Sequence, residues 1–221
     1  MTQEQNNLKS NVFVNCLFDK AYRPLLQALL FTVVNCGLKP RIASERSDSG
    51  EVRLDKIRSL MRESEYSIHD ISRMQPLTAG ELPRFNMPFE LGLDLGCRAF
   101  GSGRLCQKKC LILGQQRLRY RTVLSDIAGN DIKAHHDDPQ TLVRHVRDWI
   151  LEDTGRRILS TTRIWQRYSE FYGRFEETLK EEGYSDTDIE DISVLEFIEP
   201  AKELGALKSG RSIDLLSRSR A

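Results

Sequence analysis

Neither sign of charge dominates this chain. Lys and Arg number 33 and Asp and Glu 32, for a formal net charge of +1. There is therefore no bulk electrostatic grip on nucleic acid or on an anionic membrane, and neither is expected as a partner. Long apolar runs are missing too: no stretch approaches the ~20 residues that cross a bilayer. The polar start from Met1 to Ser10 has no secretory pattern, so a cytoplasmic protein is expected. An even set of cysteines is also lacking. Cys16, Cys36, Cys97, Cys106 and Cys110 are odd in number and sit mostly in apolar segments, which suits buried, reduced thiols. Cys106 and Cys110 have no second pair at finger spacing, so no metal site is expected. Internal repeats and low-complexity blocks are absent. What remains is an ordinary globular composition whose 221 residues can bury one substantial core and carry a helical extension.

Periodicity gives the fold class. Asn11 to Cys16 is a short apolar run suited to a buried strand. Between Ala21 and Gly37, Leu25, Leu26, Leu29, Leu30, Val33 and Val34 recur at helical spacing, and Gly37 is a natural stop. Strands follow over 39–44, 66–71, 109–113 and 132–135. Helices follow over 52–62, 87 to about 99, 117–128 and 139–153. This alternation predicts an α/β domain with a five-stranded parallel sheet over residues 11–153. A break at Thr154-Gly155 precedes a helical extension over 154–199. It holds a helix over 158–183, an acidic cap at 185–190 and an apolar segment at 193–198. From Pro200 the chain is small, polar and basic, and 200–221 is expected to be a flexible tail. Trp165, Tyr168, Phe171, Tyr172 and Phe175 form an aromatic stripe, which packs either on the α/β domain or on a second subunit. A homo-oligomer is the expected assembly.

Open parallel sheets bind ligands outside the carboxyl ends of their strands. The candidates there are Asn15, Phe18, Asp19 and Tyr22 after the first strand, and Glu45, Ser47, Asp48 and Ser49 after the second. Asp70, Ser72 and Arg73 follow the third, Gly114 and Gln115 the fourth, and His135 and His136 the fifth. The stretch from Pro83 to Gly92 reads as a loop turning into a helix. Pro88 suits the first helical position, and Glu90 then falls in the first turn among apolar neighbours. Asp19, Asp70 and Glu90, with Asn, Ser and Tyr between them, are equipped for sugar hydroxyls, and one carboxylate can serve an oxocarbenium-like centre. Singly, each has a plainer role: Asp19 as a turn or cap, Asp70 as a strand-end cap, Ser47 and Asp48 as loop residues. His135-His136-Asp137-Asp138 reads as a loop and helix start and not as a metal site. Arg117, Arg119 and Arg121 form a basic patch, either a solvated face or a phosphate contact.

The first strand with Phe18-Asp19 and Tyr22, the Asp70 strand, and above all Phe89-Glu90-Leu91-Gly92 resemble the nucleoside 2-deoxyribosyltransferase family and the related TIR domains. The resemblance covers roughly residues 11 to 150 and implies a flavodoxin-like core with helices on both faces of the sheet. It places the family's nucleophilic glutamate at Glu90, its strand-end acid at Asp70 and its early aromatic residue at Phe18 or Tyr22. Where the transferases carry an Asp shortly upstream of the glutamate, this chain has Arg84, and Asn86-Met87-Pro88 replaces their small-residue loop. An arginine suits a phosphate, which points to a nucleotide in place of a bare nucleoside. By the resemblance, TIR-like enzymes cleave the nicotinamide–ribose bond of NAD, and some are bacterial immune effectors in antiviral defence. The expected activity is then nucleotide N-glycosidase, with no cofactor beyond the NAD or related nucleotide consumed. Glu90, Asp70 and Asn86 would form the catalytic set; Asn15, Phe18, Asp19, Tyr22, Ser47, Asp48, Ser49, Ser72 and Arg84 would bind substrate. A non-catalytic, oligomerising nucleotide sensor or scaffold is the alternative.

Overall fold

The computed structural model describes residues 10–74 and 82–206. Its strands are β1 (Asn11–Asn15), β2 (Lys39–Arg41), β3 (Tyr66–Asp70), β4 (Lys109–Gly114) and β5 (Lys133–Ala134). Its helices are α1 (Arg23–Asn35), α2 (Arg53–Arg62), α3 (Asn86–Phe100), α4 (Pro139–Thr154), α5 (Thr161–Glu181), α6 (Asp186–Glu190) and α7 (Val194–Ala206). All strand pairs are parallel and the order is β2-β1-β3-β4-β5, a flavodoxin-like sheet.

Successive strand residues point to opposite faces, and both faces are covered. Val12, Val14, Ile68, Leu111 and Leu113 meet α1 and α4 on one side. Phe13 packs with Ile57, Leu60 and Met61 of α2 on the other, and Ile112 with Leu91 of α3. Every residue of α1 from Leu25 to Val33 is buried, so its outer side also needs a cover. The C-terminal helices supply it. Phe31 meets Tyr168 and Phe171 of α5 at ring distances of 5.5 and 5.3 Å, and Phe197 of α7 closes edge-on against Phe171 and Phe175. The aromatic stripe thus packs on the α/β domain, with Trp165 and Tyr172 partly buried at its margin.

Four expectations change. In place of a helix over 117–128 there are two 3-10 turns, Arg119–Thr122 and Ser125–Ile127. Leu118 has φ 71° and Leu124 lies at φ −134°, ψ 63°, both outside the helical region, which breaks the helical path, while Tyr120, Leu124 and Ile127 still anchor against Ile112. The helix α3 starts at Asn86, so Pro88 is its third residue and Glu90 its fifth. Glu90 therefore lies past the first turn, where the dipole has little hold. The expected tail from Pro200 is helical as far as Ala206, with Phe197, Ile198 and Ala201 buried, at the cost of the backbone bond that Pro200 cannot donate. The rest of that tail, 207–221, lies outside the described residues. Cys106, expected to be buried, is exposed, and all five thiols are free. Among the described residues no helix is long and apolar enough to cross a membrane.

Candidate functional site

From β1 the chain crosses to β2 on one side and, later, to β3 on the other, so the crevice above β1 and β3 is the sheet's switch point. Asn15, Asp70 and the start of α3 all converge there.

Asp70 is fully buried and accepts four hydrogen bonds: from the Tyr22 hydroxyl, the Ser72 amide and hydroxyl, and His135 Nε2 at 2.9 Å. Burial alone would raise its pKa, but the bonds from His135, Ser72 and Tyr22 outweigh it and hold the carboxyl below its ordinary value. His135 Nδ1 accepts the Asp137 amide at 3.1 Å, so Nε2 carries the hydrogen and gives it to Asp70 and the Ser72 hydroxyl. That tautomer bars His135 from acting as base toward Ser72, and the three residues are no nucleophilic triad. Two consecutive left-handed residues, His136 at φ 55° and Asp137 at φ 56°, shape the loop that presents His135.

A second buried network crosses beneath the sheet. The Asn15 amide donates to His69 Nδ1 and to the Met87 carbonyl of α3, both at 3.0 Å. His69 Nε2 then faces Asp94 at 3.2 Å, and Asp94 also accepts from Ser67 and from the Lys108 ammonium. Burial opposes a charge on Asp94, yet His69 and Lys108 overcome it and hold the carboxyl far below the usual range. His69, Asp94 and Cys110 stand close enough to share a metal ion, but the ammonium of Lys108 already meets that carboxylate. Asn15 Oδ1 is buried without a hydrogen-bond partner among the described residues.

Glu90 sits one helical turn before Asp94 on the same buried face of α3 and is 5% exposed. Its one close cation among the described residues is Arg53 Nη2 at 3.4 Å, on a side chain more than half exposed. Burial raises the Glu90 pKa and Arg53 offsets only part of the rise. Burial first, and then the charges of Asp70, Glu90 and Asp19, pushes the Cys16 thiol well above its ordinary value, so it is no thiolate nucleophile.

The remaining candidates fall differently. Tyr22 is buried with its hydroxyl on Asp70 and offers no face for a base to stack on. Asp19 caps the turn into α1 by accepting the Tyr22 amide at 2.9 Å. Phe18 is 43% exposed and lines a shallow cleft with Arg23, Leu26 and Phe197, between α1 and α7. Ser47, Asp48 and Ser49 lie on an exposed loop, where Asp48 accepts the Gly50 amide. Arg84 and Asn86 are exposed. Asp138 caps α4 in front of Pro139, as its spacing predicts. Sequence reading missed Arg53, His69, Asp94 and Lys108. The usable signal was Asp94 itself, an acid four residues after Glu90 inside the run Leu91, Leu93, Leu95.

Asp70 and Asp94 are expected to set the acid limit of the fold. A carboxyl held low in the folded state contributes stability above its unfolded pKa of about 3.9 and loses it as pH falls through the folded value. Unfolding free energy is expected to fall steadily below about pH 4, and Asp70→Asn to flatten that slope, read by urea titrations at several pH values.

No protein-family model, curated protein or solved structure matches the chain, so its function rests on the geometry of Glu90 and its neighbours.

Proposed function

We propose that the protein hydrolyses the N-glycosidic bond of a nucleotide, NAD or a relative of it, with Glu90 as the catalytic carboxylate. The observation that carries this reading is the contrast along α3. Asp94 is locked in its charged form by His69 and Lys108, whereas Glu90, one turn away, is desolvated and only loosely paired. A desolvated, loosely paired carboxyl beside one held charged is a pattern that recurs at acid–base and nucleophilic sites. In this scheme Glu90 attacks or stabilises C1′ as the bond to the base breaks, and water completes the exchange at C1′. The unpartnered Asn15 Oδ1 accepts a ribose hydroxyl, and Arg53, already beside Glu90, takes over the phosphate role first given to Arg84. Asp70 and Tyr22 hold the floor of the crevice instead of touching the sugar.

The saturation of Asp70 and the near-complete burial of Glu90 favour a second reading, a nucleotide-sensing or scaffold module without turnover. Incubating the protein with NAD, nucleotides and nucleosides, and separating free base by chromatography, decides between the two. Base release from one nucleotide names the substrate. Binding of a nucleotide with no base released under any condition would leave the sensor reading standing.

A further inference from the structure

The outward face of α3 is apolar, whereas its buried face holds two carboxyls. Phe85, Phe89, Gly92, Gly96 and Phe100 fall within an arc of about 80° at 3.6 residues per turn, and none carries charge. The opposite face, with Met87, Glu90, Leu91 and Asp94, is buried against the sheet. An apolar stripe on a helix is the face that packs, and this one lies away from the sheet. Phe85 is 70% exposed, Phe89 55% and Phe100 92%. Between the last two rings lies an open depression of about 580 Å³ with Gly92, Leu93, Gly96 and Cys97 in its lining. Neither glycine is needed by the fold: a Cβ at Gly92 or Gly96 would meet nothing within 4 Å, although each glycine weakens the helix.

We propose that this face is the contact between two copies of the chain, paired antiparallel about the Gly92–Gly96 notch. The proposal is independent of the chemistry assigned to Glu90. Register and area argue for a second copy. The notch is centred on residue 94, with Phe89 five residues before the centre and Phe100 six after it. Antiparallel pairing then sets each Phe89 opposite the partner copy's Phe100 to within about one 1.5 Å residue rise. The glycines let the two backbones approach while the rings close over the ends, a self-complementary twofold contact. At ~200 Å² per phenylalanine, the exposed parts of the three rings amount to roughly 430 Å² per copy, within the range of the largest apolar patch on a monomer, which is often functional. Two copies withdraw on the order of 900 Å² from these rings alone, close to the ~1,000 Å² a specific interface needs before Pro88, Leu93 and the glycine backbones are added.

Sedimentation of the full chain over a concentration series tests the proposal. The wild type is expected to show a monomer–dimer equilibrium. Phe100→Glu and, separately, Gly96→Leu are expected to weaken it by about 30-fold or more, the scale of a hot-spot truncation. Gly96→Leu should leave the melting temperature of the dilute protein unchanged or higher, because the added side chain meets open space and favours helix. A wild type that stays monomeric at every concentration overturns the proposal, as does a dimer that both variants leave intact.

Discussion

Asp94→Ala is expected to lower the unfolding free energy by about 3–5 kcal/mol, the cost of breaking a buried ion pair from one side. The side chains of Asp94 and Lys108 are both completely inaccessible, so water cannot take over either charge. Without the carboxylate, the Lys108 ammonium keeps only the Met61 carbonyl, and the donors of His69 and Ser67 lose their shared acceptor. For a domain whose whole stability is ~5–15 kcal/mol, such a loss leaves little margin. The double change Asp94→Asn with Lys108→Met removes both charges and is expected to cost clearly less than the two single changes summed. Urea unfolding measures the wild type, Asp94→Ala, the singles Asp94→Asn and Lys108→Met and their double, and an unchanged denaturant slope keeps the comparison valid. A loss below about 1 kcal/mol for Asp94→Ala would mean that the network does not hold α3 on the sheet.

That network also marks where sequence reading stops. The strands and α1 were legible because Val12, Val14 and Ile68 pack one face of the sheet while Phe13 packs the other, and because the leucines of α1 keep helical spacing. The helix expected over 117–128 failed for a local reason, since the left-handed Leu118 and the non-helical backbone of Leu124 override an adequate apolar pattern. At the site, strand-end position identified Asp70, and the loop-to-helix motif singled out Glu90. Their partners were hidden by distance along the chain. His135 reaches Asp70 across 65 residues and Arg53 reaches Glu90 across 37, and neither spacing leaves a periodic trace. Whether a carboxyl is saturated or starved of donors is set by those distant partners. That is why Asp70 and Glu90 look alike in sequence and differ in the fold.

Glu90→Gln separates chemistry from packing. If Glu90 carries the reaction, base release should fall by at least about 10²-fold, the usual scale for losing a positioned acid–base group. Stability should move the other way. A carboxyl whose folded-state pKa is raised burdens the folded state once the unfolded chain ionises, and the burden grows as pH rises from 4.5 toward the folded value. Gln carries no such burden, so the variant should melt at or above the wild-type temperature, with the gap widening above pH 4.5. Losing the long contact to the exposed Arg53 takes away little, because such pairs contribute at most ~1 kcal/mol. Arg53→Ala gives the complementary check. Arg53 lowers the Glu90 pKa, so its removal should shift the pH limb of base release that reports Glu90 ionisation to higher pH while leaving the fold intact. Equal turnover by wild type and Glu90→Gln would sink the catalytic assignment. A lost activity accompanied by a melting temperature several degrees lower would instead give Glu90 a packing role.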